Sequence, residues 1–318
     1  MSSADTQPPA GPAPALPASI DDLQAALASQ SYVADRALAV SAFLALRLKR
    51  PLFLEGEAGV GKTEVAKALA AALEAELIRL QCYEGLDVNH AVYEWDYARQ
   101  LLEIRILEAG HALDPRTATR QVFSEPFLVK RPLLRALESA AHRPTVLLID
   151  EIDRADEEFE GYLLELLSDF QITVPEIGTF RAPEPPIVVL TSNRTREVHD
   201  ALKRRCLYLW IDYPDFQKEH RIVTTRLPHV SDRLAEQVTA FVQELRRTEL
   251  YKVPGVSETL DWAAALVALD REALDPALID ETLGVLLKYQ EDVQAVRGAR
   301  AGEVLARALA RGVRQSGP

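Results

Sequence analysis

Gly56-Glu57-Ala58-Gly59-Val60-Gly61-Lys62-Thr63, the stretch GEAGVGKT, decides how the rest of this chain is read. It fits the spacing G-x-x-x-x-G-K-[ST], in which a glycine loop joins a buried strand to a helix and turns its N–H groups inward around phosphate. The flanks supply that setting: Pro51 to Glu55 (PLFLE) is a short apolar run suited to a buried strand, and Glu64 to Leu73 (EVAKALAAAL) is alanine-rich and helical. Gly56, Gly59 and Gly61 let the backbone curl, and the following helix aims its positive end at the same point. Gly56 through Glu64 are therefore the expected phosphate cradle, with Lys62 reaching the terminal phosphates and the Thr63 hydroxyl as a ligand for Mg²⁺. A glycine turn leading into a helix with no ligand is the plainer alternative, which the bare pattern does not exclude.

Working outward, a second strand end sharpens the reading. Val146 to Glu151 (VLLIDE) closes an apolar strand with two adjacent carboxylates. Asp150 would hold Mg²⁺ directly or through water, and Glu151 would orient and activate a water for attack on the γ-phosphate of a nucleotide such as ATP. The alternative is that both merely cap the next helix. A third strand, Ile187 to Thr191, is followed by Asn193, whose amide can hydrogen-bond both the γ-phosphate and the attacking water; asparagine also commonly starts a turn. Ala201 to Cys206 (ALKRRC) then sets Arg204 and Arg205 before a last strand, Leu207 to Ile211. An arginine there, projecting into a neighbouring subunit's site, would offset charge developing in the transition state; a solvated basic turn is the competing reading.

Composition bounds the class. With 318 residues the chain has room for a full core and for two domains. Its 36 Lys+Arg against 48 Asp+Glu give a formal charge of −12, which opposes nonspecific attraction to nucleic acid or anionic membrane. Apolar runs stop well short of the roughly 18 residues a membrane span needs, and no signal pattern opens the chain, so a cytoplasmic protein is expected. Cys82 and Cys206 stand far apart and read as buried small hydrophobes, and the histidines show no metal-ligand spacing.

The alternation of strands and helices through Ile211 implies a doubly wound α/β domain with a parallel sheet, an αβα sandwich; from Phe216 onward the pattern is helical. Ser2 to Ser19, rich in Pro, Ala and Ser, reads as a disordered tail. The expected domains are a tail over 1–18, a nucleotide-binding domain over 19–214 and a helical lid domain over 215–318. Between Tyr83 and Ser124 lies an elaboration mixing aromatic and acidic residues, and Ile172 to Arg181 (ITVPEIGTFR) reads as a hairpin.

In order, these motifs resemble those of the AAA+ superfamily, and more narrowly the MoxR family. The narrower resemblance rests on Asp150 to Leu167 (DEIDRADEEFEGYLLELL), Glu55 to Ala70 (EGEAGVGKTEVAKALA), Thr191-Ser192-Asn193, and Tyr213-Pro214 after the closing strand. Arg79 to Asp87 (RLQCYEGLD) and Val256 to Ala263 are similar to the CoxD-like branch, associated with maturation of molybdenum–copper carbon monoxide dehydrogenase. The resemblance implies an AAA+ fold, a Walker A site at Gly56, Gly59, Gly61, Lys62 and Thr63, a Walker B pair at Asp150 and Glu151, and Asn193 as sensor 1. It leaves the finger open: counting back from Tyr213-Pro214 selects Arg204, and matching the family's Arg-Phe pair to Arg205-Cys206 selects Arg205. ATP and Mg²⁺ are the implied cofactors. A homo-oligomer, commonly a hexameric ring, is the implied assembly, with a von Willebrand factor A domain partner and a metalloenzyme client. Two departures stand out: Ser257-Glu258-Thr259 replaces a Ser-Pro-Arg lid motif, so the usual sensor 2 arginine is missing, and Asp153 stands where asparagine is usual. The implied function is an ATP-hydrolysing chaperone that remodels or matures a client complex. A nucleic-acid-associated AAA+ module, disfavoured by the acidic balance, and an ATP-binding scaffold, disfavoured by Asp150 and Glu151, are the alternatives. Tyr93-Glu94-Trp95 and the hairpin are candidate client-facing parts, although aromatics at such positions also serve as core.

Overall fold

A computed structural model describes residues 16–109 and 115–315 of the chain. The tail expected over 1–18 lies outside the described residues up to position 15; at its end the carbonyls of Pro17 and Ala18 accept from the Arg47 guanidinium at 3.1 and 3.3 Å. By internal contacts the chain divides into two compact units, one taking residues up to 26, 35–55 and 65–209, the other residues 27–34, 56–64 and 210 onward.

From Ile20 to Ile211 the elements are α1 (Ile20–Ser29), α2 (Arg36–Leu48), β1 (Leu52–Gly56), α3 (Lys62–Ala72), β2 (Glu76–Gln81), α4 (Val88–Ala91), β3 (Tyr93–Trp95), α5 (Tyr97–Ala109) and α6 (Pro115–Val122). There follow β4 (Leu128–Lys130), α7 (Pro132–Ala140), β5 (Thr145–Asp150), α8 (Glu157–Asp169), β6 (Gln171–Val174), β7 (Gly178–Arg181), β8 (Ile187–Ser192), α9 (Asp200–Arg205) and β9 (Leu207–Ile211). Five strands form one parallel sheet in the order β2-β5-β8-β1-β9. The sequence explains that order. Every residue of β1 and β5 is buried, as central parallel strands covered on both faces require. The edge strands β2 and β9 alternate in exposure instead, so one face of each is left partly open. Helix α7 packs on β2 and β5, and Leu133 and Leu137 from it join Leu147, Ile149, Phe53 and Leu190 of the sheet and Phe159 and Leu163 of α8 in one core. Each such side chain contributes roughly 2 kcal/mol by leaving water.

Helix starts follow their caps. Asp35, Asp156 and Asp215 are N-caps whose carboxylates accept from the N–H three residues on, each stabilising its helix by about 1 kcal/mol. Helix α2 accordingly begins at Arg36.

The elaboration is an ordered insert: β3 pairs antiparallel with β4, Tyr93 opposite Lys130 and Trp95 opposite Leu128. That pairing corrects the client-facing reading of Trp95. Its indole is buried in the main core, edge-on to Phe123 with ring centroids 5.2 Å apart, while Glu94 is paired with Arg131. Apolar groups that do reach solvent include Tyr97, Leu101, Leu102 and Ile106 on α5 and Val129 on β4. The expected hairpin is present as β6 and β7, with Gln171 opposite Arg181.

Beyond Tyr213-Pro214 the chain is helical: α10 (Phe216–Arg226), α11 (Asp232–Leu245), α12 (Val256–Ala268), α13 (Pro276–Leu286), α14 (Gln290–Val296) and α15 (Ala299–Gln315). Its core is built around Phe241 and Trp262, whose rings lie 5.3 Å apart, and the indole N–H donates to the Thr282 hydroxyl at 2.8 Å. One ion pair is also buried there. Arg246 donates to both oxygens of Glu219 at 2.6 and 2.7 Å, with side chains 8% and 0% exposed.

Candidate nucleotide-binding and catalytic site

The glycine loop follows from two constraints. Gly56 ends β1 so close to β9 that a Cβ would stand 2.1 Å from the Ile211 carbonyl oxygen, so no other residue fits without moving backbone. Gly59 has φ +77°, a left-handed conformation that side chains resist, and a Cβ there would meet a Glu258 carboxylate oxygen at 3.0 Å. Lys62 opens α3 with its ammonium buried, donating to the carbonyls of Gly56 and Glu57 at 2.8 and 2.6 Å. The lysine thus curls back over its own loop, at the place where phosphate oxygens would take over from carbonyls. Val60 is buried; Thr63 and Glu64 are half-buried, and Glu57 is exposed.

Residues of the helical part meet this loop. The N–H groups of Val256 and Ser257, in the first turn of α12, donate to the Gly59 carbonyl at 2.9 and 3.2 Å. Glu258 accepts the Gly255 N–H at 2.9 Å, which fixes the turn. Thr259, in the first turn of α12, is fully buried and donates to Glu219 at 2.8 Å. The cation beside it is Arg246, locked by Glu219, lying 4.8 Å over the Tyr213 ring and donating to the Pro254 carbonyl. Burial, followed by the nearby Glu57 carboxylate, raises the Tyr213 hydroxyl above its ordinary pKa.

In the first unit the parallel arrangement brings the ends of four strands, Glu55, Gln81, Asp150 and Ser192, to one edge of the sheet. Asp150 is 2% exposed. Its Oδ1 accepts from the Thr191 hydroxyl at 2.5 Å, and its Oδ2 accepts from Arg79 Nε at 2.9 Å and from Arg79 Nη2. Glu151 sits at φ +55°, and its N–H is held by the Thr191 hydroxyl at 2.9 Å. Two amides hold its carboxylate: Asn193 donates to Oε1 at 3.3 Å and Gln81 to Oε2 at 3.0 Å. Asp150, Glu151 and Asn193 are therefore brought together. Asp153 explains the loop that carries Asn193: its carboxylate accepts the N–H groups of Asn193 and Thr195 at 3.1 and 2.9 Å and the Thr195 hydroxyl at 2.7 Å. Burial alone would raise the Asp153 pKa, but these donors outweigh it and hold the group below the ordinary value of 3.8.

Arg204 and Arg205 end α9, both exposed. Arg205 donates to the Leu164 carbonyl of α8, and the carbonyls of both accept from Arg50, at 2.8 and 3.1 Å. Behind them Glu55, 3% exposed, faces Lys203 at 3.5 Å and accepts the Tyr208 hydroxyl at 2.8 Å. Both cysteines are buried, and burial pushes each thiol up to about 12.

Sequence reasoning missed Arg79, Gln81 and Glu55 as parts of this edge. The signal was available for the first two: in Ile78-Arg79-Leu80-Gln81 the apolar pair alternates with the polar pair, which puts Arg79 and Gln81 on one face. The pairing of Gln81 with Asp150 then sets that face beside the acidic strand end.

Magnesium is tested by the chemistry of this edge. Asp150 is a hard oxygen donor, and the guanidinium beside it shows that a cation is favoured there. Among the described residues no three acidic, histidine or cysteine side chains cluster as a metal site. One carboxylate with phosphates and waters supplying the remaining ligands is how Mg²⁺ is commonly held, so the residues fit it.

A parallel αβα sheet with a glycine-lysine loop and an acidic strand end defines a P-loop nucleotide-binding protein. Residues 51–206 match the family described as AAA domain (dynein-related subfamily), which makes this segment an AAA domain of the AAA+ ATPase family. An uncharacterized protein of Staphylococcus haemolyticus is 24% identical over 267 residues, 79% of this chain and 90% of that protein. Among solved structures, a candidate ATPase from Cytophaga hutchinsonii aligns with TM-score 0.46 and 14% identity, covering 92% of this chain and 93% of that one. The Holliday junction branch migration motor RuvB of Thermotoga maritima aligns with TM-score 0.43 and 17% identity, covering 85% and 72%. No described helix is long and apolar enough to cross a membrane.

Proposed function

We propose that this protein is an ATP-hydrolysing AAA+ chaperone of MoxR type, a homo-oligomeric ring that remodels or matures a client protein complex, with insertion of a metal cofactor into a metalloenzyme as the form of that work. The observation that carries hydrolysis is the Glu151 carboxylate, held by Asn193 and Gln81 one residue from Asp150 at the strand edge. Thr63 and Asp150 would hold Mg²⁺, which supplies charge neutralisation of the phosphates and fixes their geometry. Lys62 exchanges the carbonyls of Gly56 and Glu57 for phosphate oxygens. Glu151 takes the proton of the attacking water, and Asn193 aligns that water with the γ-phosphate. Arg204 or Arg205, exposed at the end of α9, reaches the site of the next subunit and offsets the charge that develops there.

The MoxR assignment is supported by the run Asp150 to Leu167 leading into a half-exposed hairpin at β6 and β7, and by Thr191-Ser192-Asn193. The formal charge of −12 favours a protein client over nucleic acid. A partner bearing a von Willebrand factor A domain would link ring and client.

Mg²⁺-dependent ATPase activity of the purified protein, alone and with such a partner, tests the reading: Lys62→Ala is expected to abolish it. Mixing Lys62→Ala subunits with Arg204→Ala or Arg205→Ala subunits should restore part of the activity for whichever arginine acts in trans. No rescue with either would remove the shared site. A Glu151→Gln pull-down that captures a metalloenzyme complex supports the client class, and capture of nucleic acid without protein contradicts it.

A further inference from the structure

We infer that Arg79 is a built-in stand-in for the metal cation at Asp150, and must leave before that cation binds there directly. The inference rests on the ATP-hydrolysing reading above. Both oxygens of the buried Asp150 carboxylate are engaged, Oδ1 by Thr191 and Oδ2 by Arg79. A carboxylate 2% exposed is costly without a cation, and the guanidinium meets that need. Arg79 is a partner that can leave. It stands on the edge strand with its side chain 49% exposed, so a change of rotamer carries it into solvent without opening a hole.

Direct ligation through Oδ2 and the Arg79 pair exclude each other. A divalent cation and a guanidinium on one oxygen would repel at short range, and the divalent charge is the stronger partner for the carboxylate. The cation demand of the site is thus set partly by Arg79. Gln81 helps to position the arginine, because its Oε1 accepts from Arg79 Nη2.

The test uses the full chain and a fluorescent, non-hydrolysable ATP analogue titrated at graded Mg²⁺ concentrations, with thermal melting as a check on folding. Arg79→Ala is expected to lower the Mg²⁺ concentration at half-maximal binding about tenfold, the size of a charge-assisted hydrogen bond. Arg79→Lys, which keeps the charge but not the forked geometry, is expected to lower it about threefold, and carries the test should Arg79→Ala not fold. Gln81→Leu takes one acceptor from Arg79 but leaves both of its bonds to Asp150, so its midpoint should fall less than that of Arg79→Lys. An unchanged or raised midpoint in the arginine variants overturns the inference and leaves the ATP reading standing. A Gln81→Leu shift as large as that of Arg79→Ala would also overturn it. Failure of the wild type to bind the analogue at any Mg²⁺ concentration would sink the ATP reading and this inference with it.

Discussion

Replacing Arg246 by methionine probes the buried post on which the turn before α12 rests. The structure sets the size of the effect. Glu219 is fully buried and takes two bonds from Arg246; without them it keeps only the Gln243 amide at 2.6 Å and the Thr259 hydroxyl at 2.8 Å. Removing one partner of a buried pair costs about 3–5 kcal/mol. Loss of the cation over the Tyr213 ring and of the donor to the Pro254 carbonyl adds to this, while the two remaining donors soften it, so about 4 kcal/mol is expected. Urea unfolding followed by circular dichroism and by the fluorescence of Trp262, which lies in the same core, measures it. The companion double variant, Glu219→Gln with Arg246→Met, removes the orphaned charge and should recover at least about half of the loss. Function should follow, because Pro254 leads directly into Gly255, Val256 and Ser257, whose turn bonds the Gly59 carbonyl. Weaker binding of ATP analogue is expected in the single variant. A loss below about 1 kcal/mol, or a double variant no better than the single one, would refute the reasoning that this pair is a buried charge under strict compensation.

Three further outcomes follow from particular contacts. Gly56→Ala places a methyl 2.1 Å from the Ile211 carbonyl oxygen and must push β9 or the loop aside; analogue binding measured by titration should be lost and the melting temperature lowered. Asp153→Ala leaves the N–H groups of Asn193 and Thr195 without an acceptor and should cost about 3 kcal/mol with a fall in kcat, whereas Asp153→Asn, the residue usual in the resembling family, should cost about 1 kcal/mol. Because the folded pKa of Asp153 lies below the unfolded one, its contribution is present above about pH 4 and lost as pH falls through the folded value; the acid limb of the stability curve should therefore flatten in Asp153→Ala. Cys82 and Cys206, buried with thiols pushed up to about 12, should react with a thiol reagent only under denaturing conditions, and rapid native labelling would contradict their placement.

Much of the fold could be read from residues whose local pattern has one physical solution. Thr145 to Asp150 falls where the apolar run places it, because a strand buried on both faces tolerates nothing else. The insert was less legible. Trp95 and Tyr97 lie two residues apart, yet one is in the core and the other is exposed, a difference set by pairing with Leu128 more than 30 residues on. Local spacing carries no trace of such a partner. At the site, Gly56, Lys62, Asp150 and Glu151 announce themselves by type and spacing, whereas Arg79, Gln81 and Glu55 act through register across the sheet. Asp153 shows the same limit: its departure from asparagine had no visible consequence until the loop it anchors was in place.

The most direct test of hydrolysis at Glu151 is ATP turnover by the Glu151→Gln variant at saturating Mg²⁺, compared with wild type under the same analogue-binding conditions. The expected result is analogue affinity within a few-fold of wild type and turnover reduced about a hundredfold or more, the usual contribution of a positioned base. Turnover equal to wild type would contradict the account.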